Sequence, residues 1–252
     1  MSGESAPTNP PVLFDMDGVL LVGPGTHPGV YRAAAHDALG ELGVIDPPAS
    51  TAAVLEATRY DPEMADACAD LGVDVDAWWA ARERHASRRA NARVRSGDRE
   101  RYPGGRAILE ELRTGRRLAL VSNNREATVS FVADYCFPGV FDVVVARRPT
   151  IDDYGRRKPD PTFIHRALDR LAESNIEPDE DSTPTRGVYV GDRTSDVVAA
   201  RRAGLEPILI ERSYTGSGSE ADPDAEPAVR IDSLAELPAA VATVLGEPAP
   251  TR

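Results

Sequence analysis

Five short runs of consecutive apolar residues punctuate the chain, at 12–14, 118–121, 143–145, 188–190 and 207–210. None alternates with polar residues as a half-exposed strand would. Uninterrupted runs of this length suit the strands of a parallel sheet that is covered on both faces. Between the later runs the apolar spacing turns helical, over 105–114, 126–135, 162–172 and 195–203. Strand, helix, strand at this rhythm predicts an α/β fold, a doubly wound parallel sheet of Rossmann-like type with right-handed crossovers.

The rhythm breaks once. Residues 25–101 are rich in alanine, hold almost no β-branched run and are far too long for a crossover loop. They predict a separate helical lobe with helices over 31–42, 50–57, 62–71 and 75–95. The α/β core then comprises 1–24 and 102–252. Gly23-Pro24-Gly25 and Tyr102-Pro103-Gly104-Gly105 flank the lobe with turn composition. Segments 173–186, acidic and proline-containing, and 215–227, rich in Gly, Ser, Asp and Pro, are expected to be solvated loops.

Charge changes the picture more than size does. A net charge of -12 disfavours nonspecific nucleic-acid binding and favours solubility. Acidity with almost no lysine resembles the composition of proteins from salt-loving organisms. Cys68 and Cys136 are too few and too isolated for a disulfide framework or a zinc site, and read as buried thiols in a reducing compartment. Residues 1–11 lack a basic and apolar leader, and no apolar run approaches a membrane span. A cytoplasmic protein without membrane or nucleic-acid partners is expected, as a monomer or small homo-oligomer. Of 29 basic residues only Lys158 is a lysine, in Lys158-Pro159-Asp160-Pro161. Lysine is a compact point charge where arginine is a planar fork, so its use here suggests a site with room for one small ammonium.

The chemistry-bearing residues follow the strands. The first run leads into Asp15-Met16-Asp17-Gly18, the second into Ser122-Asn123-Asn124, and the fourth into Gly191-Asp192. In a parallel sheet these ends share the edge where ligands bind. Asp15 and Asp17 sit two apart, on one side of extended chain. With Asp192 they would make an oxygen-rich site, whose repulsion a proton or a hard cation such as Mg2+ would relieve. Simpler readings stand beside each piece. Asp15 to Gly18 also fits a plain turn, Ser122 and Asp192 fit helix N-caps, and Asp196 fits a first-turn acid.

In their joint order these segments resemble the motifs of the haloacid dehalogenase superfamily, over residues 12–23 and 102–210. Phe14-Asp15-Met16-Asp17-Gly18-Val19-Leu20 resembles its first motif and Val121-Ser122-Asn123 the second. Lys158-Pro159 resembles the third, and Gly191-Asp192-Arg193-Thr194-Ser195-Asp196 the fourth. A helical insertion between the first two is similar to the phosphoglycolate phosphatase and β-phosphoglucomutase subgroup, whose lobe is a cap domain. The resemblance implies a Mg2+-dependent phosphate-monoester hydrolase acting on a small phosphorylated metabolite. Asp15 would be the nucleophile that forms an aspartyl-phosphate, and Asp17 the general acid and base. Gly18, Ser122, Asn123 and Lys158 would bind the phosphoryl group, the second motif doing so at a helix N-terminus. Asp15, the Asp17 carbonyl and Asp192 would hold Mg2+, and Asp196 would orient Lys158 or a metal-bound water.

Within the family, Asp17 argues against haloalkanoate dehalogenation, which does without it. The absence of lysine from 25–101 argues against Schiff-base phosphonate cleavage. Sugar phosphomutation on the same core, or a catalytically silent binding module, are the alternatives. Nine arginines against Glu83, Asp98 and Glu100 in 82–106 favour a solvated helix face over a substrate-binding one. For the adjacent Trp78 and Trp79, one is expected in the lobe's core and the other at the seam. His27 and His36, near the first hinge, are more simply structural than substrate-reading.

Overall fold

The computed structural model describes residues 9–173, 187–214 and 223–248. Among the described residues six strands form one sheet in the order β3-β2-β1-β4-β5-β6, every pair parallel. They are β1 (Asn9–Phe14), β2 (Arg116–Arg125), β3 (Val143–Arg147), β4 (Val188–Gly191), β5 (Glu206–Ile210) and β6 (Val229–Ile231). The apolar runs have no polar face because both faces are covered. Val12 and Phe14 point to one side, where they join Leu118, Leu120, Val188 and Val190. There they meet α5 (Gly105–Arg113), α6 (Glu126–Cys136) and α10 (Leu237–Leu245). Leu13, Ala119, Val121 and Tyr189 point to the other, against α8 (Thr162–Glu173) and α9 (Thr194–Arg202). Strand order reverses direction between β1 and β4, the switch point where a doubly wound sheet opens a crevice.

The expected strands and core helices are present, and among the described residues the strand β6 and the α-helices α10 and α7 (Ile151–Gly155) are additional. Most of the acidic loop at 173–186, and residues 215–222 of the second loop, lie outside the described residues. Residues 223–225 form a single 3-10 turn. Among the described residues no helix is long and apolar enough to cross a membrane. Cys68 and Cys136 are buried free thiols.

Between β1 and α5 the chain forms α1 (Pro28–Glu41), α2 (Ala49–Leu55), α3 (Glu63–Asp70) and α4 (Val75–Arg95). Local signals set their limits. His27 caps α1 by accepting from the Gly29 N–H at 3.1 Å, with Pro28 at the first turn, which gives this histidine a structural use. Asp74 caps α4 by accepting from Ala77 N–H at 2.8 Å. His36 pairs with Glu56 at 2.7 Å on the surface of α1. Trp78 and Trp79 both lie in the core of this segment, fully buried. Adjacent residues manage this because α4 has packing partners on two sides. Trp79 meets Tyr154 of α7 edge-on at 5.0 Å, and Tyr60 N–H donates to the Tyr154 hydroxyl at 3.1 Å. Thus Trp79 also marks the seam between the segment and the sheet.

The outgoing and returning chains are joined to each other. Leu21 bridges Arg101 in antiparallel fashion, Val22 N–H donates to the Glu100 carbonyl, and Tyr102 N–H donates to that of Leu20. Trp79→Ala would open a cavity at the only aromatic cluster spanning this seam among the described residues. It is expected to cost about 3–5 kcal/mol in a denaturant titration. A loss below about 1 kcal/mol would show that the seam does not depend on it.

Candidate active site

The first loop is built by its backbone. Asp15 N–H donates to Val190 O at 2.9 Å and so extends the β1–β4 ladder by one residue. The chain then doubles back, with Leu20 and Leu21 N–H both donating to Met16 O and Gly18 N–H to Leu21 O. Buried Met16, Val19, Leu20 and Leu21 anchor this loop, leaving Asp15 and Asp17 at its rim. Gly18 has φ +80, and a Cβ there would stand 2.0 Å from Asp192 Oδ2. A Cβ on Gly191 would stand 2.2 Å from that of Asp196. Both glycines are therefore required by close approach, one of them also by backbone conformation.

Lys158 is the centre of the site. Its Nζ lies 2.8 Å from Asp15 Oδ1, 2.6 Å from Asp196 Oδ1 and 2.7 Å from the Tyr189 hydroxyl. An ammonium has three N–H donors, and these acceptors use all of them. Tyr189 in turn donates to Val121 O at 2.8 Å, which fixes its hydroxyl as an acceptor for lysine. The other oxygen of Asp196 accepts from Arg193 N–H at 3.1 Å, so Asp196 both caps α9 and aims Lys158. The Lys158-Pro159 peptide is cis. The Asn123 side chain pairs with the Lys158 main chain, accepting from its N–H at 2.8 Å.

Burial and mutual repulsion dominate the electrostatics. Asp15 is pushed up to about 6, first by burial and then by Asp196 and Asp17, although Lys158 opposes this. Asp192 rises to about 7, from burial first, with Asp196 and Asp15 adding. Burial works against the charge on Lys158, yet Asp15 and Asp196 overcome it and hold the ammonium well above its ordinary value. Asp192 is the unsatisfied member. Both its carboxylate oxygens are buried without a hydrogen-bond partner, and the nearest guanidinium nitrogen, of Arg193, is 3.8 Å away. Carboxylate oxygens of Asp15, Asp192 and Asp196 lie within 4.8 Å of one another. An orphaned, all-oxygen cluster of this kind fits a hard divalent cation. With Asp196 engaged by Lys158 and Arg193, Asp15 and Asp192 are the members left to ligate.

The residues expected from the sequence therefore meet in one place, with two corrections. Ser122 and Asn123 do not stand at a helix N-terminus. They lie within β2, whose register shifts between Ser122 and Arg125, and α6 begins only at Glu126. Three site residues were missed. Asn124 donates to Asp17 Oδ2 at 2.8 Å, and Arg99 donates to Asp17 Oδ1 at 2.6 Å. Tyr189 is the third. Tyr189 was legible as the one polar-tipped residue in the buried Val188–Val190 run, and Asn124 as neighbour of the second motif. Arg99 gave no signal.

The second correction concerns the arginines. Most of those in 82–106 are solvated, as expected, but Arg82 is fully buried and Arg99 nearly so. Arg82 lies against Trp79 and Tyr31, with centroid distances of 4.8 and 5.0 Å. Arg125 and Arg147, at the ends of β2 and β3, are buried beside it. Glu83 bridges Arg82 and Arg147. Burial, reinforced by Arg125 and Arg147, pulls the Arg82 guanidinium below its ordinary value despite Glu83 and Tyr31.

Carboxylates and one buried lysine thus converge at the switch point of a parallel sheet, and comparison with known proteins identifies the class. The sequence profile of the haloacid dehalogenase-like hydrolases matches residues 12–204. The plasmid phosphoglycolate phosphatase of Cupriavidus necator is 33% identical over 243 residues, covering 90% of this chain and 91% of that one. The phosphoglycolate phosphatase of Rhodospirillum rubrum is 28% identical, covering 81% and 80%. Among solved structures, CbbY from Rhodobacter sphaeroides in complex with phosphate superposes with a TM-score of 0.58 at 25% identity, covering 91% of this chain and 96% of that one. The chain belongs to the haloacid dehalogenase-like hydrolases, in the subgroup typified by its phosphoglycolate phosphatase relatives, and is an enzyme of phosphatase type.

The raised carboxyls have a consequence for stability. An acid whose folded value exceeds its unfolded value favours folding at low pH, and that contribution is lost as pH rises through the folded value. With Asp192 near 7 in the folded chain, the window runs from about pH 4 to 7. In chelator, the wild type is expected to lose on the order of 2–4 kcal/mol more than Asp192→Asn across that window. Parallel pH–stability curves for the two chains would refute the assignment.

Proposed function

We propose that this chain is a Mg2+-dependent phosphate-monoester hydrolase that works through an aspartyl-phosphate on Asp15. The observation carrying it is the buried Lys158 ammonium shared by Asp15 and Asp196 beside an unsatisfied Asp192. Residues 25–101 are its cap and 1–24 with 102–252 its core. The substrate is a small phosphorylated metabolite, of the kind represented by the phosphoglycolate for which its relatives are named. The structure of CbbY in complex with phosphate supports a phosphorylated substrate.

Lys158 engages Asp15 Oδ1, which leaves Oδ2 to attack phosphorus as the bond to the leaving oxygen breaks. The Ser122 hydroxyl and Asn123 N–H hold the phosphoryl oxygens, Lys158 offsets their charge, and Gly18 allows close backbone approach. Asp17 gives its proton to the leaving oxygen. It then takes one from the water that attacks phosphorus, and the Asp15–phosphate bond breaks to release inorganic phosphate. In the present arrangement Arg99 and Asn124 occupy both Asp17 oxygens, so proton transfer requires Asp17 to leave Arg99. Mg2+, held by Asp15, the Asp17 carbonyl and Asp192, would supply the positive charge that lets a carboxylate approach a phosphate dianion.

Hydrolysis of an aryl phosphate, followed with and without Mg2+, tests this reading. Asp15→Asn is expected to abolish turnover. Lys158→Arg keeps the charge but cannot place a planar fork among three acceptors spaced for an ammonium, and is expected to lose at least about 100-fold in kcat. Undiminished turnover in Asp15→Asn would overturn the covalent route, and near-normal turnover in Lys158→Arg would overturn the role given to lysine.

A further inference from the structure

β5 ends at Ile210, and the residues that follow it pack against the first-motif loop. Arg212 Nε donates to the Gly18 carbonyl at 2.7 Å, and its guanidinium lies 3.9 Å from the centre of the Tyr102 ring. Tyr102 is itself tied to that loop, its N–H donating to Leu20 O at 3.0 Å. Two residues beyond Arg212, Tyr214 reaches the acidic cluster. A Cβ on Gly18 would stand 2.0 Å from Asp192 Oδ2 and 2.6 Å from the Tyr214 hydroxyl. Phenol and carboxylate therefore meet at the space that glycine leaves open. They are not bonded to each other, since neither Asp192 oxygen has a hydrogen-bond partner among the described residues. Tyr214 is 39% exposed and Asp192 1%, so the phenol stands on the outer side of the buried acid.

Neighbouring groups decide which way the hydroxyl works. Burial first, then a hydrogen bond to the Tyr102 side chain and the charge on Asp192, hold the Tyr214 phenol well above its ordinary value, against Arg212. A hydrogen bond that favours the neutral phenol is one that the phenol donates. Its O–H is thus committed to Tyr102, and its oxygen keeps its accepting side for other partners. Two acceptors side by side call for a donor between them, and a hydrated cation provides the charge for one and the O–H for the other. Mg2+ takes an octahedron of oxygens and gives up its waters reluctantly. Asp15, the Asp17 carbonyl and Asp192 would fill half of that octahedron, so waters stay on the ion and their hydrogens need acceptors. We propose that Tyr214 is a positioning residue of the metal site, whose hydroxyl oxygen accepts a hydrogen bond from a water that Mg2+ carries beside Asp192. Arg212 and Tyr102 hold it there, one by fixing the Gly18 carbonyl and the other by accepting the phenol O–H. This role rests on the Mg2+ part of the hydrolase reading above.

Calorimetric titration of the metal-free chain with Mg2+ reads this hydroxyl without substrate or turnover. Tyr214→Phe deletes one oxygen and keeps the ring, and is expected to weaken Mg2+ binding about 10-fold. Tyr102→Phe removes the acceptor that orients the hydroxyl and should weaken binding in the same direction. In chelator, Tyr214→Phe is expected to unfold at the same denaturant midpoint as the wild type. Equal Mg2+ affinities of the wild type and Tyr214→Phe would overturn the role. So would a lowered midpoint in chelator with unchanged affinity, which makes the hydroxyl structural. If Tyr214→Phe does not fold, Tyr102→Phe decides: weakened Mg2+ binding supports the role and unchanged binding overturns it. A wild type that binds no Mg2+ would overturn the metal reading and this role with it. Weakened Mg2+ binding in Tyr214→Phe would uphold the role even if no phosphate ester were hydrolysed, so the two readings fail separately.

Discussion

Three carboxylates buried within a few ångströms of one another repel, and Lys158 is the group that makes this tolerable. Its ammonium neutralises part of the charge, joins Asp15 to Asp196 and leaves Asp192 unsatisfied. The residual imbalance is visible in Asp15 near 6 and Asp192 near 7. Excess negative charge held at the edge of ionisation fits a hard divalent cation. Arginine fills nearly every other basic role in this chain. At this position the three acceptors are spaced for a point charge, and lysine is retained.

Much of the fold can be understood as the means of bringing these groups together. Parallel strands buried on both faces place their carboxyl ends along one edge, and the order reversal between β1 and β4 opens that edge beside Asp15 and Asp192. The glycines permit the approach, since a side chain at 18 or 191 would collide with Asp192 or Asp196. Tyr189 and Asn123 add stiffness. One ties Lys158 to β2 through Val121, and the other ties the lysine loop to the second motif. Above this edge lies the four-helix segment, anchored by Trp79 against Tyr154 and by paired hinge strands at Leu21 and Arg101.

The core and the aspartates were legible because Asp15, Asp17 and Asp192 each sit within a few positions of a strand end, so strand pattern fixes their neighbourhood. Lys158, on the loop between α7 and α8, stood out as the chain's one lysine and through its resemblance to the third motif. α10 carried readable signals in Pro238 and Gly246, while β6 is only three residues long and has too little pattern to read. The arginine cluster was opaque for a different reason. Arg82, Arg125 and Arg147 are far apart in sequence, each in a locally polar context, and only the packing of α4 near the strand ends buries them. For Trp78 and Trp79 the split between core and seam was readable from their adjacency. That Trp79 would also lie in the buried core was not, because α4 has packing partners on two sides. Arg99 reaches Asp17 through the hinge geometry, which sequence spacing does not encode.

The proposed route depends most on Asp15 taking the phosphoryl group. Mixing the enzyme with a turning-over phosphate ester, quenching in acid within the first turnovers and mapping the trapped phosphoryl group by peptide mass spectrometry examines that step directly. The expected result is a phosphoryl group on the peptide containing Asp15, lost when hydroxylamine is added, as an acyl phosphate would be. Phosphorylation of a different residue, or full turnover with no trapped species and with solvent oxygen entering the phosphate by a single displacement, would contradict it.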